Sequence, residues 1–429
     1  MTLENFDLLS QKYADLITSV GVNVQKGQDI VIYADVAQVP LVHKIVDSAY
    51  KRGANNVMIE WQDIHVQREF LQHANNDSLT NIPTWVSVRA EELMAKHTTR
   101  ISLISADPDG LGAVDGDRVS AYQQAYQRAN QAVRKATMNN DVSWLVVAAA
   151  GEAWAEKVFP DLKGEAATDR LWEEIFKITC VGVANDVIAD WMAHVNTLKE
   201  KAQWLNDLNF KELHYSSPIT DLTVGLAEDH VWEAADSIDK AGNMFVANMP
   251  TEEVFTSPDY RNIHGTVTST KPLSYAGVLI NDIKLTFVDG HVTEAHASTG
   301  EAVLQQLIKT DEGASSLGEV SLVPDPSPIS QSGIVFYNTL IDENASDHLA
   351  LGAAYPFNLK GGTQMDVAAR QAKGQNESLV HVDFMMGSAD MDIDGITYDG
   401  QVIPVFRNGD WHNCIQNEKH LAFATPDAF

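Results

Sequence analysis

The sequence predicts an α/β protein of two domains: an N-terminal three-layer domain with a mostly parallel sheet over residues 1–210, and an antiparallel-rich α+β domain over residues 211–429. The length of 429 residues suffices for two or three domains that each bury a core. Short apolar runs alternate with helical patterns before residue 210, whereas strand-like runs dominate after it. This change of pattern divides the chain into the two predicted domains.

The first half alternates strand and helix signals. A compact β-branched run at residues 29–34 follows a turn-like Lys-Gly-Gln, and apolar residues recur at helical spacing over residues 40–52. Strand, helix and strand in repetition predict a parallel sheet with helices on its faces. The other elements predicted here are strands at 57–61, 100–105 and 143–148, a long helix at 118–137, and mostly helical structure over 172–208.

The second half is predicted to be mainly antiparallel. The dipeptide Asp289-Gly290 separates two strand-like runs, which is a strong signal for a β-hairpin. A helical pattern over residues 300–310 interrupts the strands, which then resume as far as residue 384. The strands predicted before that helix lie at 221–225, 265–268, 283–288 and 291–295.

The charge balance excludes several classes of partner. The chain carries 30 basic and 59 acidic residues, and the resulting net charge of −29 repels a nucleic-acid backbone or an anionic membrane surface. No signal peptide is visible, and no apolar run approaches the roughly 18 residues of a membrane span. Cys180 and Cys414 are the two cysteines, and they do not indicate a disulfide framework or a cysteine-based zinc site. We therefore expect a cytoplasmic protein with no nucleic-acid or membrane partner.

Several familiar catalytic motifs are missing from the sequence. It contains no P-loop, no G-x-S-x-G nucleophile elbow, no H-E-x-x-H pair and no complete G-x-G-x-x-G. These observations exclude a helix-borne zinc protease site of the H-E-x-x-H type. They also leave nucleotide binding by the first domain without support.

The C-terminal half contains scattered residues of the kinds that ligate metals. His381 and Asp383 lie two apart in an apolar strand-like run, so their side chains share one face of the strand. A divalent cation would satisfy both buried groups, and so would a His–Asp hydrogen bond. Each further segment alone is also explained by capping, solvation or a core histidine, so a site is indicated only if all of them converge. These segments carry Glu252 with Glu253, Glu319 after a glycine, and Glu343 with His348.

Taken together and in this order, the segments resemble the M29 family of metallopeptidases, the group of aminopeptidase T, aminopeptidase S and PepS. The resemblance runs nearly end to end and begins with residues 13–28. Five separated blocks in family order make the signal specific. These blocks are 250–256, the pair Gly318-Glu319, 343–348, 354–356 and 381–383.

The resemblance implies a homodimeric metallo-aminopeptidase with an enclosed active site between domains, and it makes residues 211–429 the metal-binding catalytic domain. It implies two divalent ions, and two imidazoles with three carboxylates suit zinc, cobalt or manganese better than calcium. Our hypothesis is that two metals activate a water molecule, which releases the N-terminal residue of a peptide with a free amino end. The implied ligands are Glu253, Glu319, His348, His381 and Asp383, with Glu319 as the bridge and Tyr355 as an active-site phenol that stabilises the oxyanion.

Several alternatives stay open at this level. Glu252 and Glu253 are adjacent, and the resemblance selects Glu253 by an alignment that a shift of one residue would change. Glu319, Glu252 or Glu343 could each serve as the general base. The same ligands would also suit a hydrolase of other amides or esters, and a two-domain binding protein could hold metal for structure alone. The sequence does not specify the physiological metal, the preferred N-terminal residue or the role of the first domain.

Overall fold

A computed structural model describes the protein over residues 3–276 and 278–412. These residues form two compact units. The N-terminal unit contains the chain up to Ala193 together with Asp236–Pro250, and the C-terminal unit contains His194–Ala235 and the chain from Thr251 onward. The N-terminal unit thus includes a segment from beyond residue 210.

Helices predominate before residue 210 and strands after it, and both are numbered in chain order. In the described part of the chain, none of the helices combines the length and apolar character that a membrane span requires. The helices are α1 Phe6–Leu16, α2 Val39–Lys51, α3 Ile64–His73, α4 Asn76–Thr80, α5 Thr84–Ala95, α6 Gly116–Ala129, α7 Gln131–Met138, α8 Glu152–Val158, α9 Glu165–Ile178, α10 Val187–Leu208, α11 Glu301–Leu307, α12 Pro328–Ser332, α13 Thr339–Asp342 and α14 Val367–Ala372. The strands are β1 Asp29–Asp35, β2 Asn56–Gln62, β3 Thr99–Ile104, β4 Trp144–Ala148, β5 Glu212–Ser217, β6 Thr220–Leu226, β7 Asp236–Ile238, β8 Met244–Val246, β9 Asn248–Met249, β10 Val254–Thr256, β11 Pro258–Thr268, β12 Leu273–Tyr275, β13 Val278–Ile280, β14 Lys284–Val288, β15 His291–His296, β16 Leu317–Leu322, β17 His348–Gly352, β18 His381–Met385, β19 Asp392–Ile396, β20 Val402–Arg407 and β21 Asp410–Trp411.

The N-terminal unit is built on a parallel sheet. Its strands lie in the order β2-β1-β3-β4-β9, and every neighbouring pair runs parallel. One face carries fully buried aliphatic side chains such as Ile30, Ile32 and Leu145. The Tyr13 hydroxyl of α1 donates to the carbonyl oxygen of Ala148 at 2.8 Å, which ties that helix to the end of β4. The predicted parallel α/β architecture is confirmed.

Two predicted helical regions are interrupted in the structure. The single helix predicted over residues 118–137 is two helices, α6 and α7, because Asn130 leaves the helical conformation at φ −98° and ψ 19°. Its side-chain amide donates to the carbonyl oxygen of Tyr126 and so ends α6. The region 172–208 contains the end of α9 and all of α10, separated by a segment in which Cys180 has a φ of 56°. Helices α3 and α4 have no counterpart among the predicted elements, and each buries only one residue.

The C-terminal unit contains an antiparallel sheet of eight strands in the order β15-β14-β11-β6-β5-β19-β20-β21. The predicted hairpin joins β14 to β15, and Asp289 and Gly290 have positive φ angles of 47° and 84°, as a primed hairpin turn requires. A side chain at Gly290 would approach the carbonyl oxygen of Tyr260 to 1.9 Å, so only glycine fits there. A second antiparallel sheet, in the order β10-β16-β17-β18, carries the candidate site. The predicted antiparallel-rich α+β architecture is confirmed.

Candidate metal centre

Three adjacent strands present potential ligands from one face of the four-stranded sheet. Glu319 on β16 is opposite Ala350 on β17, which is opposite Asp383 on β18. His348 and His381 lie two residues from Ala350 and Asp383 along the same strands, and residues at i and i+2 share a face. The four ligand-type side chains therefore point to the same side. Ala350 at the centre contributes only a methyl group, so no bulky side chain separates them.

The fourth strand adds a further carboxylate. Glu253 immediately precedes β10, which pairs with β16. Oε2 of Glu253 is 3.1 Å from Nε2 of His348 and accepts a hydrogen bond of 2.8 Å from Oγ of Ser321. Ser321 is fully buried, and it shares the face of Glu319 because it lies two residues further along β16. Its hydroxyl therefore holds the Glu253 carboxylate against the sheet.

Glu319 belongs to two groups of three potential ligands. Glu253, Glu319 and His348 form the first group, and Glu319, His381 and Asp383 form the second; within each, the ligand atoms lie within 4.8 Å of one another. Oε1 of Glu319 is 3.6 Å from Nε2 of His348, and Oε2 is 3.7 Å from Nε2 of His381. Nε2 of His381 is in turn 3.5 Å from Oδ1 of Asp383. A single carboxylate therefore directs one oxygen atom into each group.

Both histidines are held in the orientation that a metal ligand needs. Nδ1 of His381 donates to the carbonyl oxygen of Ala353 at 2.7 Å, and Nδ1 of His348 donates to that of Ser346 at 3.3 Å. Because a carbonyl oxygen only accepts, the proton of each neutral ring lies on Nδ1. The Nε2 lone pairs are thereby left to point into the two ligand groups.

The donor set and its electrostatics fit divalent cations. Burial raises the pKa of Glu319. Burial lowers the pKa of His381, but the charges of Asp383 and Glu319 outweigh it and raise that pKa to about 10. The buried carboxylates thus favour positive charge beside them, and Oδ1 of Asp383 has no hydrogen-bond partner among the described residues. Two imidazoles and three carboxylates suit zinc, cobalt or manganese, so these residues fit the pair of metals that the resemblance implies.

Tyr355 lies beside the second ligand group. Its ring centroid is 4.9 Å from that of His381, and its ring stacks on Phe357 with 5.2 Å between centroids. Burial raises the pKa of the phenol well above its usual value, and the charges of Glu319 and Asp383 raise it further. The phenol therefore stays protonated at neutral pH and is able to donate a hydrogen bond.

The structure distinguishes the acidic residues that the sequence leaves as alternatives. Glu252 belongs to neither ligand group, and its Oε2 lies 3.7 Å from Nε2 of His194. Glu253 is the member of the adjacent pair that joins a group. Glu343 belongs to neither group but lies near both: burial raises its pKa, and the charges of Asp383 and Glu253 raise it further.

The residues that support the ligands were not identified from the sequence. The sequence contains a pattern that could identify Ser321: it lies two residues from Glu319, the same spacing that singles out His381 and Asp383. Gly352 pairs with His381 across the sheet, and no sequence pattern identifies it as a supporting residue. Its φ of 107° and the closeness of a neighbouring carbonyl exclude any side chain, and only the folded backbone reveals that.

The sequence pattern of the thermophilic metalloproteases (M29) extends over residues 6–411 of this chain. The chain belongs to the M29 metalloprotease family. Aminopeptidase PepS of Streptococcus thermophilus is 47% identical to it over 412 residues, which cover 96% of this chain and 100% of that protein. Aminopeptidase AmpS of Bacillus subtilis (strain 168) is 48% identical over 408 residues, which cover 94% of this chain and 99% of that protein.

A solved structure extends this M29 relationship to the fold. Wild-type AmpT from Thermus thermophilus is similar with a TM-score of 0.89 at 39% identity, over 95% of this chain and 99% of that one. The predicted resemblance is therefore confirmed along nearly the whole chain. As a member of this family, the protein is a metal-dependent hydrolase of peptide bonds.

Replacing Ser321 by alanine is expected to weaken metal binding in this M29 protein. The substitution removes the donor that holds the Glu253 carboxylate, and loss of such a supporting contact typically lowers metal affinity by about 10–100-fold. Competition with a chromogenic chelator measures the change. The exposed Ser298→Ala serves as the control and should bind metal like the unmodified protein. Equal affinities for the Ser321 and Ser298 variants would contradict the supporting role of the Ser321 hydroxyl.

Proposed function

We propose that this protein is an aminopeptidase that releases N-terminal residues from peptides with the help of two divalent metal ions. Glu253, Glu319 and His348 would hold one ion, and Glu319, His381 and Asp383 the other. The observation that carries the proposal is that both ligand groups share Glu319, so one carboxylate would bridge two sites. The relatives PepS and AmpS support it, because both are named aminopeptidases.

Two bound divalent ions supply Lewis acidity, which activates water as a nucleophile and polarises a carbonyl group. The protein's own residues orient the ligands for this task. Hydrogen bonds from Nδ1 of His348 and His381 to backbone carbonyls fix both rings, and the hydroxyl of Ser321 fixes the Glu253 carboxylate. A site supported in this way needs little rearrangement when it binds its metals.

Glu343 is the proposed general base. Glu319 has both oxygen atoms directed into ligand groups, and Glu252 faces His194. Glu343 is the one of the three alternatives that lies outside both groups yet is acted on by the charges of Asp383 and Glu253. Burial, followed by the negative charges of Asp383 and Glu253, raises its pKa. Bound cations would act in the opposite direction and favour the carboxylate form, which accepts a proton and can later return it.

Tyr355 is the proposed donor to the oxyanion. Its protonated hydroxyl would hydrogen-bond the oxygen atom of the scissile carbonyl as negative charge develops there. The stack on Phe357 limits the motion of the ring and so preorganises the donor. We further propose that the free α-amine of the substrate binds among the carboxylates of the two ligand groups, which would confine cleavage to the N-terminal residue.

A chelation experiment with paired substrates tests the proposal. Removing metal should abolish cleavage of an aminoacyl-p-nitroanilide, and adding zinc, cobalt or manganese should restore it with two ions bound per chain. The N-acetylated form of the same substrate should not be cleaved. A metal-reconstituted preparation that cleaves no peptide with a free amine would refute the aminopeptidase assignment.

The same experiment separates the rival functions. Cleavage of acetylated amides or esters at comparable rates would favour a hydrolase of other substrates. A preparation in which chelation changes only the unfolding temperature would favour a binding protein with structural metal. The homodimeric state and the cytoplasmic location remain predictions, which sedimentation and cell fractionation can test.

A further inference from the structure

The parallel sheet of the N-terminal unit has one apolar face and one face with a polar row. On the apolar face, Ile32 and Ile101 pair in register and are fully buried. On the other face, Glu60 of β2, Tyr33 of β1 and Ser102 of β3 lie side by side in register, and all three are half-buried. Parallel sheets covered by helices are normally apolar on both faces, so this row needs an explanation.

Arg100 extends the polar row on β3. It lies two residues before Ser102 and therefore shares its face, between Val31 and Trp144 in the register. Its guanidinium carbon is 5.9 Å from the ring centroid of Trp144, so an aromatic ring supports the charge from one side. Arg100 Nε is buried without a hydrogen-bond partner, and none of the described residues forms an ion pair with the group. A half-buried charge without a counter-ion is destabilising, so the fold maintains this guanidinium at a cost in free energy.

A second guanidinium contacts the polar row from the helical layer. Arg89 of α5 forms an ion pair with Glu60, and the two side chains remain 31% and 36% exposed, so solvent reaches the row. Burial raises the pKa of Tyr33, and the positive charges of Arg89 and Arg100 act against that rise. Among the described residues, Glu60 is the one carboxylate that forms an ion pair with either guanidinium, so the row has more cations than paired carboxylates in a chain whose net charge is −29.

We propose that Arg100, with the hydroxyls of Tyr33 and Ser102 and the guanidinium of Arg89, forms a binding site for a small oxyanion. A guanidinium offers two parallel N–H donors that match a carboxylate or phosphate group, and the hydroxyls supply further donors. The ligand class is therefore a compact anion with a planar or tetrahedral group of oxygen atoms. This site lies in the N-terminal unit and does not depend on the proposed aminopeptidase chemistry.

Binding of inorganic phosphate and of acetate to the metal-loaded protein, at constant pH and ionic strength, tests the proposal. We expect saturable binding of at least one of them by calorimetry, with a matching rise in unfolding temperature. Comparison of the two anions distinguishes a phosphate site from a carboxylate site. Arg100→Met should weaken the binding by about tenfold or more, and Arg100→Lys should weaken it less, because lysine keeps the charge but lacks the paired donors.

The matched control is Arg128→Met, which removes an exposed arginine from α6 and should bind the anion like the unmodified protein. Absence of saturable binding for both anions, or equal affinity in Arg100→Met, would overturn the proposal; the second result would place the anion elsewhere, for example at the metal centre. In anion-free buffer Arg100→Met should unfold at the same or a higher temperature, because it removes an uncompensated charge. A lower unfolding temperature together with unchanged anion binding would mean that the guanidinium serves the fold alone.

Discussion

Replacement of Glu319 by glutamine is expected to abolish both metal binding and peptide hydrolysis. The amide keeps the shape of the side chain but removes its negative charge and one acceptor oxygen, and the carboxylate is common to both ligand groups. Metals contribute several kcal/mol to the transition state, and about 1.4 kcal/mol corresponds to a factor of ten in rate. We therefore expect kcat to fall by about 1,000-fold or more, with metal content reduced at both sites, as elemental analysis and an aminoacyl-p-nitroanilide assay would show.

The matched control for this variant is Glu312→Gln, at an exposed position in the same unit. It should retain full metal content and activity. A Glu319→Gln protein that holds one ion firmly would contradict the bridging role but not the metal site. One that keeps two ions and an activity within tenfold of the unmodified enzyme would contradict both.

Replacement of Tyr355 by phenylalanine is expected to reduce kcat by about 100–1,000-fold while metal content stays unchanged. The substitution removes only the hydroxyl and keeps the ring that stacks on Phe357. Loss of one donor to an oxyanion typically has an effect of this size, since the contact is made only as charge develops. KM should change little, because the ground-state carbonyl does not depend on this hydrogen bond.

Steady-state kinetics with parallel metal analysis separates this role from a structural one. Tyr398→Phe, at a position that is 63% exposed, serves as the control and should behave like the unmodified enzyme. If Tyr355→Phe instead loses metal, the phenol supports the ligands rather than the oxyanion. If KM rises at unchanged kcat, the hydroxyl contacts the substrate equally in the ground state and the transition state.

Local patterns predicted much of the architecture. The strand at 29–34 and the hairpin turn at Asp289-Gly290 could be predicted, because strand propensity and hairpin geometry depend on a few neighbouring residues. The break in the helix at Asn130 could not be predicted, because asparagine also occurs inside helices. Here its side chain donates to a backbone carbonyl, which helps to end the helix. Helices α3 and α4 were not predicted either; each is short and buries a single residue.

The candidate site divides in the same way. His381 and Asp383 could be placed on one face of a strand from their spacing alone, since the side-chain period of a strand is two. The approach of Glu253 and Glu319 to His348 depends on the pairing of β10, β16 and β17, which are separated by many residues in the chain. Joint occurrence in family order indicated that these segments belong together.

What the sequence by itself determined is the class of protein: its α/β pattern, its acidic charge and the ordered blocks that resemble the M29 family. The tertiary structure alone decided that Glu253 and not its neighbour Glu252 joins a ligand group, and that the two groups share Glu319. It alone also placed Arg100 in the polar row of the first sheet, where its Nε is buried with no hydrogen-bond partner among the described residues. The physical reason is common to these cases: local propensity is encoded by adjacent residues, whereas strand register and the burial of charge arise only when distant segments pack together.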